Sequence, residues 1–156
     1  MLTKLRFDKA TSKVYCIDEN GNDYAEFDIC FNTWAPHTPI RNGVFPISHE
    51  NDSAMDYDTY QGPAYGKFWV ALDRETGKGF HGWDEDTNRS LTSGTYGCIR
   101  ASNEDGCEIC RAIDETLQHQ REQNKEFGIE DEPYILVEVV GDVDDSQFIL
   151  GGGGEQ

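Results

Sequence analysis

Short β-branched and aromatic runs alternate with turn residues through the first half of the chain. Val14-Tyr15-Cys16-Ile17 and Phe27-Asp28-Ile29-Cys30-Phe31 flank Asp18-Glu19-Asn20-Gly21-Asn22-Asp23, a pattern that predicts a hairpin. A second hairpin is expected between Thr38 and Ile47, where Asn42-Gly43 supplies the positive φ of a tight turn. From Glu50 to Tyr65 the chain mixes Asn, Asp, Ser, Gly and Pro with scattered aromatics, which reads as a long surface loop, folded over or beside a cleft as a mobile lid. Lys67 to Leu72 returns to strand character, and Glu75 to Gly79 turns into Phe80-His81-Gly82-Trp83. One segment has helical periodicity. Ser102 with Asp105 three residues on can cap its start, and Cys107, Cys110, Ile113 and Leu117 recur at spacings of three and four; the helix runs to about Lys125, before Gly128 and Pro133. Tyr134 to Val140 is a near-continuous apolar run of strand length, expected at the centre of a sheet. Many strands and one main helix predict a mostly β, α+β domain over residues 1–141, with 142–156 an acidic and Gly-rich tail.

Composition narrows the function. At 156 residues the chain suits one domain, and 30 acidic against 13 basic side chains give a net charge of −17. That charge repels phosphate backbones, so general nucleic-acid and anionic-membrane binding are disfavoured, with room left for a local basic groove. No apolar stretch is long enough for a membrane span, and Met1 to Arg6 lacks the apolar core of a secretory signal. The expected location is therefore cytoplasmic, or outside after export by a signal-independent route. The five cysteines are an odd number, read as thiols in a reducing compartment. Gly151 to Gly154 reads as flexible tail.

The densest chemical signal is Thr92-Ser93-Gly94-Thr95-Tyr96-Gly97-Cys98-Ile99-Arg100. A Gly-punctuated turn exposes backbone N–H groups able to hold an oxyanion, and it sets Cys98 shortly before a capped helix, where a helix end and a nearby cation can acidify a thiol. The alternative is a small buried Cys in a tight turn. His81, 17 residues earlier and followed by Gly82, is the candidate base, since neighbouring strands or loops can join the two side chains and imidazole accepts a thiol proton near neutrality. A lone His in a turn is otherwise structural.

These residues carry a resemblance. His81-Gly82, the gap, and Thr95-Tyr96-Gly97-Cys98-Ile99-Arg100 resemble the paired motifs of the L,D-transpeptidase catalytic domain, or YkuD-type, family. Thr38-Pro39-Ile40-Arg41-Asn42-Gly43-Val44-Phe45-Pro46-Ile47 is similar to that family's upstream hairpin, two residues longer before the Gly. The likeness covers roughly Leu5 to Val140 and extends to a small effector-like subgroup. It implies an L,D-transpeptidase-like β-sandwich acting on peptidoglycan stem peptides or muropeptides through a cysteine acyl-enzyme. It further implies Cys98 as nucleophile, His81 as base and acid, the Gly82 carbonyl as the acceptor that orients the imidazole, and Thr95, Tyr96, Gly97 and Cys98 along the oxyanion and substrate side. Arg100 either binds a substrate carboxylate or pins the loop to an Asp. The departure is Tyr96 where the family has a second His, because neutral Tyr supplies no imidazolium charge. An immunity or delivery protein is a further partner implied by the effector subgroup.

Other signals are weaker. Cys107-Glu108-Ile109-Cys110 lacks a second ligand pair and falls on the apolar helical stripe, so core packing is expected, with no metal and no cofactor. His37, His49 and His119 read as solvated, as do Asp84-Glu85-Asp86 and Asp142-Asp144-Asp145. The rival reading is a non-catalytic peptidoglycan- or glycan-binding module on the same fold, using Trp34, Tyr57, Tyr60, Tyr65, Trp69 and Trp83 as stacking surfaces.

Overall fold

A computed structural model describes residues 1–48, 55–87, 90–143 and 148–149. Two sheets and a helix enclose one core. The larger sheet has the order β3-β2-β1-β10-β5, built from β1 (Lys4–Asp8), β2 (Lys13–Ile17), β3 (Asp23–Asp28), β5 (Gly43–Ser48) and β10 (Tyr134–Val140). The smaller, β6-β7-β8-β9, comprises β6 (Met55–Tyr57), β7 (Phe68–Asp73), β8 (Lys78–His81) and β9 (Ile99–Arg100). A short parallel pair joins β4 (Thr33–Trp34) to β11 (Phe148–Ile149). The mostly β architecture with one main helix is thus present.

The sheets meet through aromatic side chains. Phe7 of β1 lies edge-on to Phe80 of β8, with ring centroids 5.0 Å apart, and Phe80 in turn meets Phe68 of β7 at 4.8 Å. Helix α1 (Asn103–Glu126) closes the core, burying Cys107, Ile109, Cys110, Ile113 and Leu117. Ile113 and Leu117 are fully buried, each worth about 1.5–3 kcal/mol by removal from water. Its start is capped as the sequence predicts, with the Asp105 amide donating to Ser102 Oγ at 3.2 Å. Gly106 lets the helix approach β7, because a Cβ there would collide with the Phe68 ring.

The first hairpin forms around Asp18 to Asn22, where the Asp18 amide donates to the Asn22 carbonyl at 3.0 Å. Its second strand is Asp23–Asp28 rather than Phe27 to Phe31. Ile29, Cys30 and Phe31 leave the sheet and sink into the core, and Cys30 bridges to Arg100 instead. The Asn42-Gly43 hairpin is absent: neither residue has positive φ, and β5 pairs antiparallel with β10, not with the chain before it. Of the Glu50 to Tyr65 loop, residues 50–54 lie outside the described residues, and Met55–Tyr57 is a strand paired with β7. β10 is interior, yet its burial alternates, with Ile135, Val137 and Val139 inside and Tyr134 and Leu136 exposed. Residues 144–147 and 150–156 of the tail, like His49, lie outside the described residues.

Candidate active site

Parallel pairing of β8 with β9 brings the two motifs together. Phe80 aligns with Ile99 and His81 with Arg100, so Cys98, immediately before β9, falls opposite Gly79. The Gly79 amide donates to Cys98 Sγ at 3.4 Å. Strand residues two apart point to the same face, so His81 and the Gly79–Cys98 contact share one side of the sheet. Trp69, the cross-strand partner of His81, covers the same side: its ring stacks on the imidazole with centroids 6.0 Å apart and planes 23° apart, and lies over Gly79, where a Cβ would come within 2.8 Å of it. Tyr65 stands edge-on to the imidazole at 4.9 Å and to Trp69 at 5.3 Å. With Gln61, these two aromatics line a 300 Å³ hollow beside the imidazole.

His81 is fully buried, and its Nδ1 lies 2.6 Å from the Gly82 carbonyl oxygen. Nε2 has no hydrogen-bond partner among the described residues. Burial drives the imidazole pKa down; the Gly82 carbonyl opposes this and the Arg100 charge adds to it, leaving it at about 4. Gly82 has no side chain because the Asn103 side chain fills that space. Asn103 donates from Nδ2 to the Trp83 carbonyl at 2.9 Å and accepts the Lys67 amide at 2.9 Å, so the first turn of α1 fixes the segment carrying the imidazole's acceptor.

Cys98 is half-buried, whereas Cys16, Cys30, Cys107 and Cys110 are all buried thiols. Burial raises the Cys98 pKa; the Gly79 amide, Lys78 and Arg100 oppose that rise without cancelling it. The expected acidification by the helix end is therefore not the net effect. The site holds a neutral thiol and a neutral imidazole at pH 7.

The loop before Cys98 is internally knotted. Thr95, 1% exposed, donates from Oγ1 to the Cys98 carbonyl at 2.9 Å and accepts the Gly97 amide at 3.1 Å. Its backbone bonds to Asn32 and Trp34. Gly97 has a φ of +123°, and its missing side chain leaves room for the Lys78 stem and the Thr38 carbonyl. Tyr96 is exposed, its ring 4.6 Å from that of His37. Arg100 is wholly buried; it donates to the carbonyls of Ser93 at 2.9 Å and Ser90 at 3.3 Å, and lies over the Trp83 ring at 5.6 Å. Arg100 thus holds the loop through these main-chain carbonyls.

The stacking aromatics do not form one surface. Tyr57 hydrogen-bonds Asp114, Tyr65 and Trp69 line the smaller hollow, and Tyr60 and the largely buried Trp83 line a separate 460 Å³ cleft with Asp84, Glu85, Asp86 and Arg111. That cleft also contains Cys107 and Asn103, and none of Cys98, His81 and Gly79 lines it. His119 lies on an exposed stretch of α1 among Asp114, Glu115, Gln118 and Glu122. Among the described residues, no group of three His, Cys, Asp or Glu side chains is arranged to hold a metal ion. Sequence reasoning missed Lys78 altogether and saw Tyr65 and Trp69 only as generic aromatics; the strand spacing of Trp69 and His81 about one tight turn was the available signal.

Comparison with known proteins bears on the family and the fold. A family model described as YkuD, L,D-transpeptidase catalytic domain, matches residues 4–118. No curated protein matches the chain. Among solved structures, the chain superposes on an L,D-transpeptidase from Enterococcus faecium with a TM-score of 0.50 at 20% identity, covering 90% of this chain and 50% of that one. An L,D-transpeptidase (Yku) from Stackebrandtia nassauensis gives 0.53 at 13% identity, with 92% and 57% covered. Bd1075 from Bdellovibrio bacteriovorus gives 0.55 at 13% identity, with 93% and 51% covered. The chain thus spans about half the length of these proteins, and at such identities the likeness is one of fold.

Proposed function

Because the chain belongs to the YkuD family of L,D-transpeptidase catalytic domains, we propose that it carries out cysteine-dependent acyl transfer on peptidoglycan stem peptides. The observation that carries this reading is the oriented, neutral His81, whose Nε2 is left without a partner on the same sheet face as the half-buried Cys98. Nε2 takes the thiol proton as Sγ attacks the carbonyl of the amide between an L-centre and a D-residue. A C–S bond forms, the tetrahedral oxyanion collapses, the C–N bond breaks, and the imidazolium returns its proton to the leaving amine. An amine acceptor then gives cross-linking or exchange, and water gives L,D-carboxypeptidase or endopeptidase hydrolysis.

Tyr96 and Cys98 supply main-chain N–H groups at the oxyanion side. Gly97 joins them only by exchanging its bond to Thr95 Oγ1. Thr95 and Arg100 act by holding the loop. The aromatic wall of Tyr65 and Trp69 keeps the imidazole desolvated, which favours the neutral base. The proposal is tested by incubating the protein with purified disaccharide-tetrapeptide and with a D-amino-acid acceptor, followed by mass spectrometry. Loss or exchange of the terminal D-residue supports it. Unchanged peptide, with Cys98 intact and the protein folded, overturns it.

A further inference from the structure

We propose that Lys78 is a positioning cation of the Cys98 site, tethering the Thr38 segment to the nucleophile loop and stabilising the thiolate as it forms. The proposal rests on the functional reading above for its role in turnover, but not for its effect on the thiol. Lys78 opens β8, one residue before the Gly79 amide that contacts Cys98 Sγ. Its Nζ donates to the Thr38 carbonyl at 3.0 Å. Its stem fills the space that a side chain on Gly97 would take: a Cβ there would lie 2.5 Å from Lys78 Cε and 2.7 Å from the Thr38 oxygen. The Gly97 carbonyl accepts the Ile40 amide at 3.0 Å, closing the tie among the three segments. A glycine at this point, with φ of +123°, therefore serves the lysine: it lets an ammonium-bearing chain lie directly on the residue before the nucleophile.

The charges around Cys98 single out Lys78. On β8 these are Lys78 and His81, on β9 Arg100, and beside the loop lie Tyr96 and His37. The Arg100 guanidinium is buried and directed to Ser90, Ser93 and Trp83, while His81 is neutral. Tyr96 carries no positive charge. Lys78 is half-buried, and its charge opposes the upward pull of burial on the thiol. A second ammonium, that of Lys9, interacts with Lys78 and also with Asp142, so it has its own counter-charge.

The test uses the full chain as wild type, Lys78→Met and Lys78→Arg, and reads the rate of iodoacetamide alkylation at Cys98 from pH 6 to 10 by peptide mass spectrometry. Lys78→Met is expected to move the profile to higher pH and lower the rate at pH 7.5 by about three- to tenfold, as loss of one neighbouring charge does. Lys78→Arg should stay within about twofold of wild type. A superimposable Lys78→Met profile overturns the proposal, as does a Lys78→Arg profile displaced as far as that of Lys78→Met. If Lys78→Met does not fold, the wild-type rate at pH 7.5 between low salt and 1 M NaCl decides: a fall supports a charge effect, and no change overturns it. Turnover on stem peptides, run in parallel, separates the two claims. A shifted alkylation profile without wild-type turnover leaves Lys78 its role and removes the enzymatic reading.

Discussion

His81 Nδ1 lies 2.6 Å from the carbonyl oxygen of Gly82, and a carbonyl only accepts, so the ring is held as the Nδ1–H tautomer with its lone pair on Nε2. Burial keeps that ring neutral down to about pH 4. An oriented, uncharged acceptor is what a general base requires, and the residue supplying the orientation is its own chain neighbour.

Replacing His81 with Ala is expected to lower turnover on stem peptides by about 10²–10⁴-fold, while His37→Ala and His119→Ala leave it within a factor of two or three. In wild type the acidic limb of kcat/KM should fall near pH 4 to 5, well below the range of an ordinary histidine, because the folded pKa is depressed. Partial rescue of His81→Ala at high pH would mark lost proton transfer. Wild-type turnover in that variant would refute the assignment.

The same depression makes stability depend on pH. The folded pKa is about 4 against the ordinary histidine value of 6.5, so the unfolded chain takes up the proton first. Stability is full above about pH 6.5 and declines as pH falls toward 4, by about 3 kcal/mol from this one group. Urea midpoints at pH 7 and 4.5 should differ less in His81→Gln than in wild type. Asp73 behaves differently: burial raises its pKa, but the hydrogen bonds from Arg41, Thr76 and the Glu75 amide together with the Arg41 charge outweigh burial and hold it low, so its contribution is lost only below the ordinary carboxylate range.

Alkylation mapped by peptide should label Cys98 at least about tenfold faster than Cys107 or Cys110. Burial pushes all three thiols up, but Cys98 is only half-buried and has the Gly79 amide, Lys78 and Arg100 opposing that rise, whereas Cys107 and Cys110 are buried. Labelling of Cys110 ahead of Cys98 in folded protein would contradict both the site and the helix face.

Arg100→Met is expected to destabilise the domain by about 2 kcal/mol or more, since it leaves the Ser90 and Ser93 carbonyls without their charged donor. It should not change the preference between peptides ending in a free carboxylate and their amidated forms, because the wild-type guanidinium is wholly buried. A change in that ratio measured by competition would show that substrate reaches Arg100 after all.

Features fixed by local interactions were legible in the sequence. The Ser102 cap, the spacing of Cys107, Cys110, Ile113 and Leu117, and the extent of Tyr134 to Val140 all correspond to the observed elements. Features fixed by distant partners were not. Asn42-Gly43 looks like a hairpin turn, but β5 finds its partner in β10, and Ile29 to Phe31 looks like strand, but burial takes it out of the sheet. The site shows the same division. Cys98, His81 and Gly82 stand in readable motifs, whereas Lys78 reaches Gly97 only through the β8–β9 pairing, which no local pattern announces.

The position of β10 constrains assembly in time. It lies between β1 and β5, with parallel register from Lys4↔Leu136 to Asp8↔Val140 on one side and antiparallel pairing to β5 on the other. A chain emerging from its N-terminus therefore carries Cys98, His81 and the whole of α1 before the slot in the larger sheet can be filled. Until then β1 and β5 each present an open edge, the arrangement most prone to pairing with another molecule. Any cleavage between α1 and β10 that released the last strand would return the domain to that gapped state. The nucleophile and base would remain on one fragment, and the sheet that supports them through Phe7 and Phe80 would be split in two.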